Sequence, residues 1–167
     1  EIIGNVVLKD KIKEDAAQAI KELNKMHIQT SMFTGDKKEV AYQIGKEAGI
    51  DHIEYEMLPT DKYNRIEELI AKRKDNGKVA FVGDGINDAL ALNKADLSIA
   101  MGSGSDVALN SSDITLSNNK LENINKSIKL SKKVYHNILQ NFAWAFSYNI
   151  IAIPLAFIGV LSPIVAG

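Results

Sequence analysis

The chain has 167 residues, 20 Lys and Arg against 21 Asp and Glu, a net charge of −1 and no cysteine. That length allows one domain with a sizeable core, and the charge balance gives no electrostatic reason to bind nucleic acid. Without cysteine there are no disulfides and no thiolate metal centres, which fits a reducing compartment.

The opening, "EIIGNVVLKDKIKEDAAQAIKELNKMHIQ", predicts a short apolar strand and then a helix. Ile12, Ala16, Ile20 and Leu23 recur at helical spacing as its buried stripe. A second strand over Ile28–Phe33 stops at Thr34, Gly35 and Asp36. The helix after it, Lys37 to Ala48, turns Val40, Ala41 and Ile44 inward and ends at Gly49, a favoured helix C-terminal residue. Pro59, Thr60 and Asp61 open a third helix with Ile66, Leu69 and Ile70 inward and Lys62 in its first turn. The run Val79 to Val82 reads as a strand buried on both faces, the pattern of a parallel sheet covered by helices. "ADLSIAMGSGSDVAL" adds a strand, Leu97 to Met101, and a glycine-broken turn into a helix. Strands and helices alternating on this scale indicate an α/β domain with a largely parallel sheet.

The strand at Val79–Val82 runs into "GDGINDALAL", with carboxylates at Asp84 and Asp88. In parallel sheets the ligand crevice lies at the carboxyl ends of the strands. Gly83 and Gly85 let the backbone turn sharply and approach a ligand closely. With a helix starting near Ile86, Asn87 and Asp88 fall in its first turn, facing the same crevice as Asp84. Mg²⁺ takes oxygen ligands, commonly one or two carboxylates with waters and phosphate, so this loop suits a Mg²⁺-phosphate site. Asp and Gly are also ordinary turn residues, and an Asp near a helix start is favoured by capping alone. Thr34, Lys62 and the Asp84–Asp88 loop each follow a strand, so a parallel sheet brings them to one edge. Hydroxyl and amide donors, a lysine and Mg²⁺ are what phosphoryl transfer requires.

Beyond Leu116 the sequence "LSNNKLENINKSIKLSKKVYHNI" predicts a polar helix, with Ile124, Ile128 and Leu130 as partial apolar contacts. Every Asp, Glu, Lys and Arg lies at or before Lys133. Phe142 to Leu161 then supplies the roughly 20 apolar residues that a membrane-spanning helix needs. Pro154 is tolerable there when neighbouring helices satisfy the freed carbonyl. Lys126, Lys129, Lys132 and Lys133 place the amino end of the span on the cytoplasmic side. A polar Asn149 in such a helix faces protein or a cavity, as part of an ion path or as interhelical glue.

In order, "MFTGD", "LPTDK", "VGDGINDALAL" and "DLSIAMGSGSDVAL" resemble the P-type ATPases, with a haloacid-dehalogenase-like fold, over essentially the whole chain. The resemblance implies a parallel sheet with flanking helices followed by a transmembrane helix. It implies that Thr34 and Gly35, with Asp36 beside them, hold a phosphoryl group derived from ATP, and that Lys62 neutralises it. It further implies that Asp84 ligates Mg²⁺ while Asn87 and Asp88 complete the site. Leu90 stands where such proteins usually have Pro. "NFAWAFSYNIIAIPLAF" resembles the heavy-metal branch, and Tyr148-Asn149 resembles the copper(I) exporters; zinc and cadmium exporters usually have a lysine here. Members also carry a phosphorylated aspartate in "DKTGT", a nucleotide-binding domain, an actuator domain and further membrane helices, none of which this sequence contains.

The resulting expectation is the carboxyl part of a phosphorylation domain over 1–118, a connecting helix over 119–141, a transmembrane helix over 142–161 and the start of a loop over 162–167. The protein would sit in the cell membrane with residues 1–141 cytoplasmic, copper(I) as cargo, and no ATP turnover by this stretch alone. A free-standing phosphatase would need an aspartate nucleophile on an early strand, and Asp10 in "VVLKD" lacks the "DxD" or "DKT" form. A membrane-tethered phosphate-binding module is the non-enzymatic alternative.

Overall fold

The computed structural model describes residues 12–73, 77–84, 86–102, 106, 110 and 112–159. Asp10, the opening strand, Gly85 and most of "GSGSDVAL" lie outside them. The chain divides into two compact units, Glu1–Asn125 and Lys126–Gly167.

In the first unit, helix α1 spans Ala16–Lys25 and buries Ala16, Ala19 and Leu23. Ile20 is half-buried and Ile12 precedes the helix, so the inward stripe is narrower than the spacing predicts. Strand β1, Ser31–Phe33, is followed by α2, Lys38–Ala48. Helix α2 turns Ala41, Gly45 and Ala48 inward, with Ile44 half-buried. Val40, expected inside, is exposed. The reason is Ile53, whose side chain lies where a Cβ on Gly45 would stand, so the small-residue face closes on the next strand. Gly49 ends α2 in the left-handed conformation, φ 77°, as its position predicts.

Strand β2, His52–Glu54, leads to α3, Pro59–Lys72. Proline suits the first turn of a helix, where its missing N–H would have no partner. The Asp61 carboxylate accepts the Leu58 N–H at 2.9 Å, fixing the start of α3. Ile66 is fully buried, with Leu69 and Ile70 partly covered.

Strand β3, Ala80–Gly83, is less enclosed than a strand buried on both faces: Phe81 and Gly83 are buried, Val82 is half-buried and Ala80 is exposed. A 3-10 turn, Ile86–Asp88, precedes the short helix α4, Ala89–Lys94, and β4, Leu97–Met101. Strand β5, Ile114–Leu116, is an element the sequence reading omits. Its three residues alternate too briefly to mark a strand.

All the described pairings are parallel, but they form two ladders, β1–β2 and β3–β4–β5. Thr34 and Asp84 therefore end strands of different ladders among the described residues, whereas the sequence predicts one continuous edge. A core of Ile66, Phe81, Ala91 and Leu92 joins them, with Phe33 of β1 and Ile70 of α3 packed against it. Burying each of the larger side chains contributes about 1.5–3 kcal/mol.

Helix α5, Glu122–Phe157, begins in the first unit and supplies most of the second. Its first turn is held by Asp15, whose carboxylate accepts the Glu122 N–H at 2.9 Å, and by Asn125, whose side-chain amide donates to the Ala19 carbonyl. Ile124 is buried and Ile128 half-buried, but Leu130 is exposed. In the second unit, large apolar residues from Phe142 to Ile158 are exposed, Trp144, Ile150 and Phe157 among them. No helix of the described residues is long and apolar enough to cross a membrane. Val160 and Leu161, the last two residues of the expected span, lie outside the described residues.

Candidate phosphate and metal site

Two loops at the carboxyl end of the β1–β2 ladder form one wall. Thr34 N–H donates to the Glu54 carbonyl at 3.0 Å, which extends the ladder one residue past β1. Past the strand ends, Met57 N–H donates to the Thr34 carbonyl at 3.0 Å and Glu56 N–H to the Asp36 carbonyl at 2.9 Å. Within the first loop the Thr34 hydroxyl donates to Asp36 Oδ2 at 2.7 Å, and Asp36 N–H donates to Thr34 Oγ1 at 3.1 Å. Thr34 is half-buried, while Gly35 and Asp36 are exposed. The loop thus holds the Thr34 hydroxyl on a preformed turn, with the Thr34 and Asp36 N–H groups engaged in shaping it.

Lys62 leaves the first turn of α3 and reaches the other ladder. Its Nζ lies 2.8 Å from Asp88 Oδ1, with the two side chains 14% and 13% exposed. The contact is possible because Gly83 carries no side chain. A Cβ there would stand 2.8 Å from Asp88 Cβ and 3.0 Å from its Oδ2, closer than van der Waals contact permits. The end of β3 is therefore a cradle in which the acid of the following 3-10 turn lies against the strand. Asp84 and Asn87 are exposed on the same short loop. No cluster of three or more His, Cys, Asp or Glu that could hold a metal occurs among the described residues. Asp84 and Asp88 are nevertheless hard oxygen donors of the kind Mg²⁺ takes when phosphate and water complete its shell. The ammonium on Asp88 shows this position accommodating positive charge.

Of the residues singled out in the sequence, Lys62 and Asp88 are in direct contact, and Thr34 and Asp36 are in direct contact. Tyr148 and Asn149 lie in the second unit, exposed on α5. Sequence reasoning passed over two acids that the fold uses elsewhere. Asp96 accepts hydrogen bonds from Arg73 Nη1 at 2.5 Å and from Val79 N–H at 2.9 Å, and these, Arg73 foremost, lower its pKa to about 2. Asp113 accepts the Ser98 N–H at 2.8 Å and the Ser98 hydroxyl at 2.7 Å, which also holds its pKa below the ordinary carboxylate value. Each follows a small residue, Ala95 and Ser112, in no pattern that marks it. Both brace the β3–β4–β5 ladder rather than the loop at its end.

A family described as haloacid dehalogenase-like hydrolase matches residues 1–96. The whole chain is 48% identical to a protein of Enterococcus hirae called a probable copper-importing P-type ATPase A, covering 23% of that protein. It is 45% identical to a probable copper-exporting P-type ATPase V of Mycobacterium tuberculosis and 47% identical to a copper-exporting P-type ATPase of Staphylococcus epidermidis, covering 21% of each. The chain therefore spans less than a quarter of the length of these relatives. Among solved structures, a zinc-transporting PIB-type ATPase in its E2.Pi state aligns over 92% of this chain and 25% of its own, with a TM-score of 0.85 and 36% identity. The catalytic domain of the CPx-ATPase CopB-B aligns over 68% of this chain and 44% of its own, with a TM-score of 0.62 and 33% identity.

Proposed function

The chain belongs to the haloacid dehalogenase-like hydrolase family, and on that footing we propose that it is the carboxyl part of the phosphorylation domain, with one membrane helix, of a copper(I)-exporting P-type ATPase. The observation that carries this reading is the Lys62–Asp88 ion pair, 2.8 Å long, which brings a lysine from α3 onto the acid loop at the end of β3. It is supported by identities of 45–48% over the full chain to proteins named as copper P-type ATPases.

In this reading the Thr34 hydroxyl and the Gly35 N–H donate to the oxygens of a phosphoryl group carried by an aspartate elsewhere in the protein. Asp36 orients Thr34 by accepting the hydrogen bond of its hydroxyl in the resting loop, a bond the hydroxyl then redirects to a phosphoryl oxygen. Lys62 exchanges part of its interaction with Asp88 for the incoming negative charge. Asp84 and Asp88 would hold Mg²⁺, with Asn87 completing the polar wall. Bound Mg²⁺ neutralises phosphoryl charge, which together with positioned donors is most of what phosphoryl transfer needs. ATP enters as substrate of the intact protein, with its adenine held by a domain outside this chain. This chain by itself turns over no ATP, because it supplies no phosphorylated aspartate.

The stretch of α5 from Phe142 is the membrane helix in this proposal, supported by its lack of charged residues and the exposure of its large apolar side chains. Copper(I) favours sulfur ligands, and the four methionines, Met26, Met32, Met57 and Met101, all precede this helix. Tyr148 and Asn149 therefore supply polar atoms beside sulfur ligands from other membrane helices. The competing ion is zinc, which the structurally similar PIB-type ATPase transports. ATP turnover by the intact protein, measured with copper(I) or zinc(II) as the only added ion, separates the two. Stimulation by copper(I), reduced in Asn149→Ala, supports the assignment; stimulation by zinc alone removes copper and leaves the ATPase reading standing.

A further inference from the structure

Only two non-glycine residues among those described have a left-handed backbone, His27 at φ 58° and Glu56 at φ 54°. His27 follows the end of α1, where helices commonly terminate in this way. Glu56 has no such excuse. It lies between β2 and α3, within the segment that closes the candidate phosphate site, and a strained residue held in such a place is a reason to look for a function.

The backbone of that segment makes the key connections. Glu56 N–H holds the Asp36 carbonyl and Met57 N–H holds the Thr34 carbonyl, so both ends of the threonine loop hang on two successive amides. One residue further on, the Leu58 carbonyl accepts from Lys62 N–H at 3.2 Å, and Leu58 N–H is capped by Asp61. Helix α3 is also fixed to the end of β2 by Arg65, whose Nε donates to Glu54 Oε1 at 2.5 Å. Between Glu54 and Leu58 the chain must reverse enough to point two amides at the threonine loop and still start α3 where Lys62 reaches Asp88. The left-handed turn at Glu56 makes that reversal. Its side chain is exposed.

We propose that Glu56 is a positioning residue: its left-handed backbone sets the separation between the Thr34 loop and the Lys62 helix, and its side chain contributes nothing to phosphate binding. The proposal rests on the phosphorylation-site reading for its functional readout and on geometry alone for its structural one. Three substitutions separate backbone from side chain. Glu56→Gln keeps the strain and removes the charge; Glu56→Gly relaxes the strain and keeps the turn; Glu56→Val brings a β-branched side chain that disfavours the left-handed region.

In the intact protein, labelling by inorganic phosphate with Mg²⁺ is measured against phosphate concentration. The half-maximal concentration is expected to rise about tenfold in Glu56→Val, the size of effect that backbone strain of this kind carries, and to stay within about twofold in the other two. A merely destabilised protein would lose maximal labelling at an unchanged half-maximal concentration. In parallel, amide hydrogen exchange at Glu56 and Met57 is expected to quicken in Glu56→Val while β3 and β4 stay protected. Unchanged phosphate affinity in Glu56→Val, or an equal loss in Glu56→Gln, overturns the proposal. If the unsubstituted protein accepts no phosphate, the ATPase reading fails, and the exchange data still decide: unaltered protection at both amides in Glu56→Val overturns the positioning role.

Discussion

Lys62 and Asp88, 26 residues apart, meet at 2.8 Å between the ends of two separate ladders. Lys62 follows β2 and Asp88 follows β3, so neither ladder alone places the pair; the shared core of Ile66, Phe81, Ala91 and Leu92 does. The pair is mostly buried, and removing one member would leave the other charge poorly solvated, an outcome more costly than the net value of the pair.

That contact predicts a difference between two lysines of one helix. Lys62→Ala in the intact protein should lower the level of phosphoenzyme by about 10²-fold, the scale seen when one charge-stabilising group is removed. Lys72 is 72% exposed and, among the described residues, pairs with Glu68 alone, at 3.2 Å, so Lys72→Ala should stay near the parent level. Equal losses would mean that both substitutions act by destabilising α3.

The cradle at Gly83 predicts that the smallest possible addition is harmful. In Gly83→Ala the new Cβ would meet Asp88 Cβ at 2.8 Å, so the acid must move and release Lys62. Stability should fall by about 1–3 kcal/mol, as for overpacking elsewhere, and phosphate affinity should fall with it. Thermal unfolding together with phosphate labelling tests this. A normally stable, normally labelled variant would show that the loop can retreat without consequence.

Asp96 predicts an acid-labile contribution. Its folded pKa is about 2, below the ordinary value of 3.8, with the Arg73 hydrogen bond as the main cause and the Val79 N–H next. A depressed carboxylate stabilises the fold above its unfolded pKa and loses that contribution as pH falls through the folded value. The stabilisation should therefore be complete above about pH 5 and decline from about pH 4 toward pH 2. Urea midpoints of the detergent-solubilised chain across that range should fall less steeply in Asp96→Asn. Parallel slopes would exclude Asp96 as a source of the acid dependence.

Ser98 is buried, and its hydroxyl both donates to Asp113 Oδ2 at 2.7 Å and accepts from Asp113 N–H at 2.9 Å. Ser98→Ala should cost about 1 kcal/mol, the net worth of a hydrogen bond, because the exposed Asp113 keeps the Ser98 N–H and carbonyl as partners. A change in the urea midpoint below a tenth of the parent value would contradict this.

Much of the placement of the candidate site's residues was legible because each follows a strand or opens a helix, and such positions carry strong local signals. Pro59 and Asp61 mark the start of α3, Gly49 marks the end of α2, and the apolar run before Asp84 marks β3. What was illegible depended on contacts between distant residues. Val40 has helical spacing for burial, but the approach of Ile53 to Gly45 rotates the inward face of α2 toward small residues. The division into two ladders, the strand at Ile114–Leu116 and the braces at Asp96 and Asp113 are all tertiary pairings. Glu56 could not be seen in advance either, since nothing in "EYEMLP" demands a left-handed residue before the proline.

The most direct test of the phosphorylation-domain assignment is transfer of labelled γ-phosphate from ATP to the intact protein, compared between the parent and Asp84→Asn. Asp84 is exposed at the carboxyl end of β3 and is proposed to hold Mg²⁺ there; the substitution removes one negative charge and the proposed ligand while keeping the size of the side chain. Acid-stable, hydroxylamine-sensitive label in the parent, absent in Asp84→Asn, is the predicted result. Undiminished label in Asp84→Asn, or no label in a folded parent supplied with copper(I), Mg²⁺ and ATP, would contradict it.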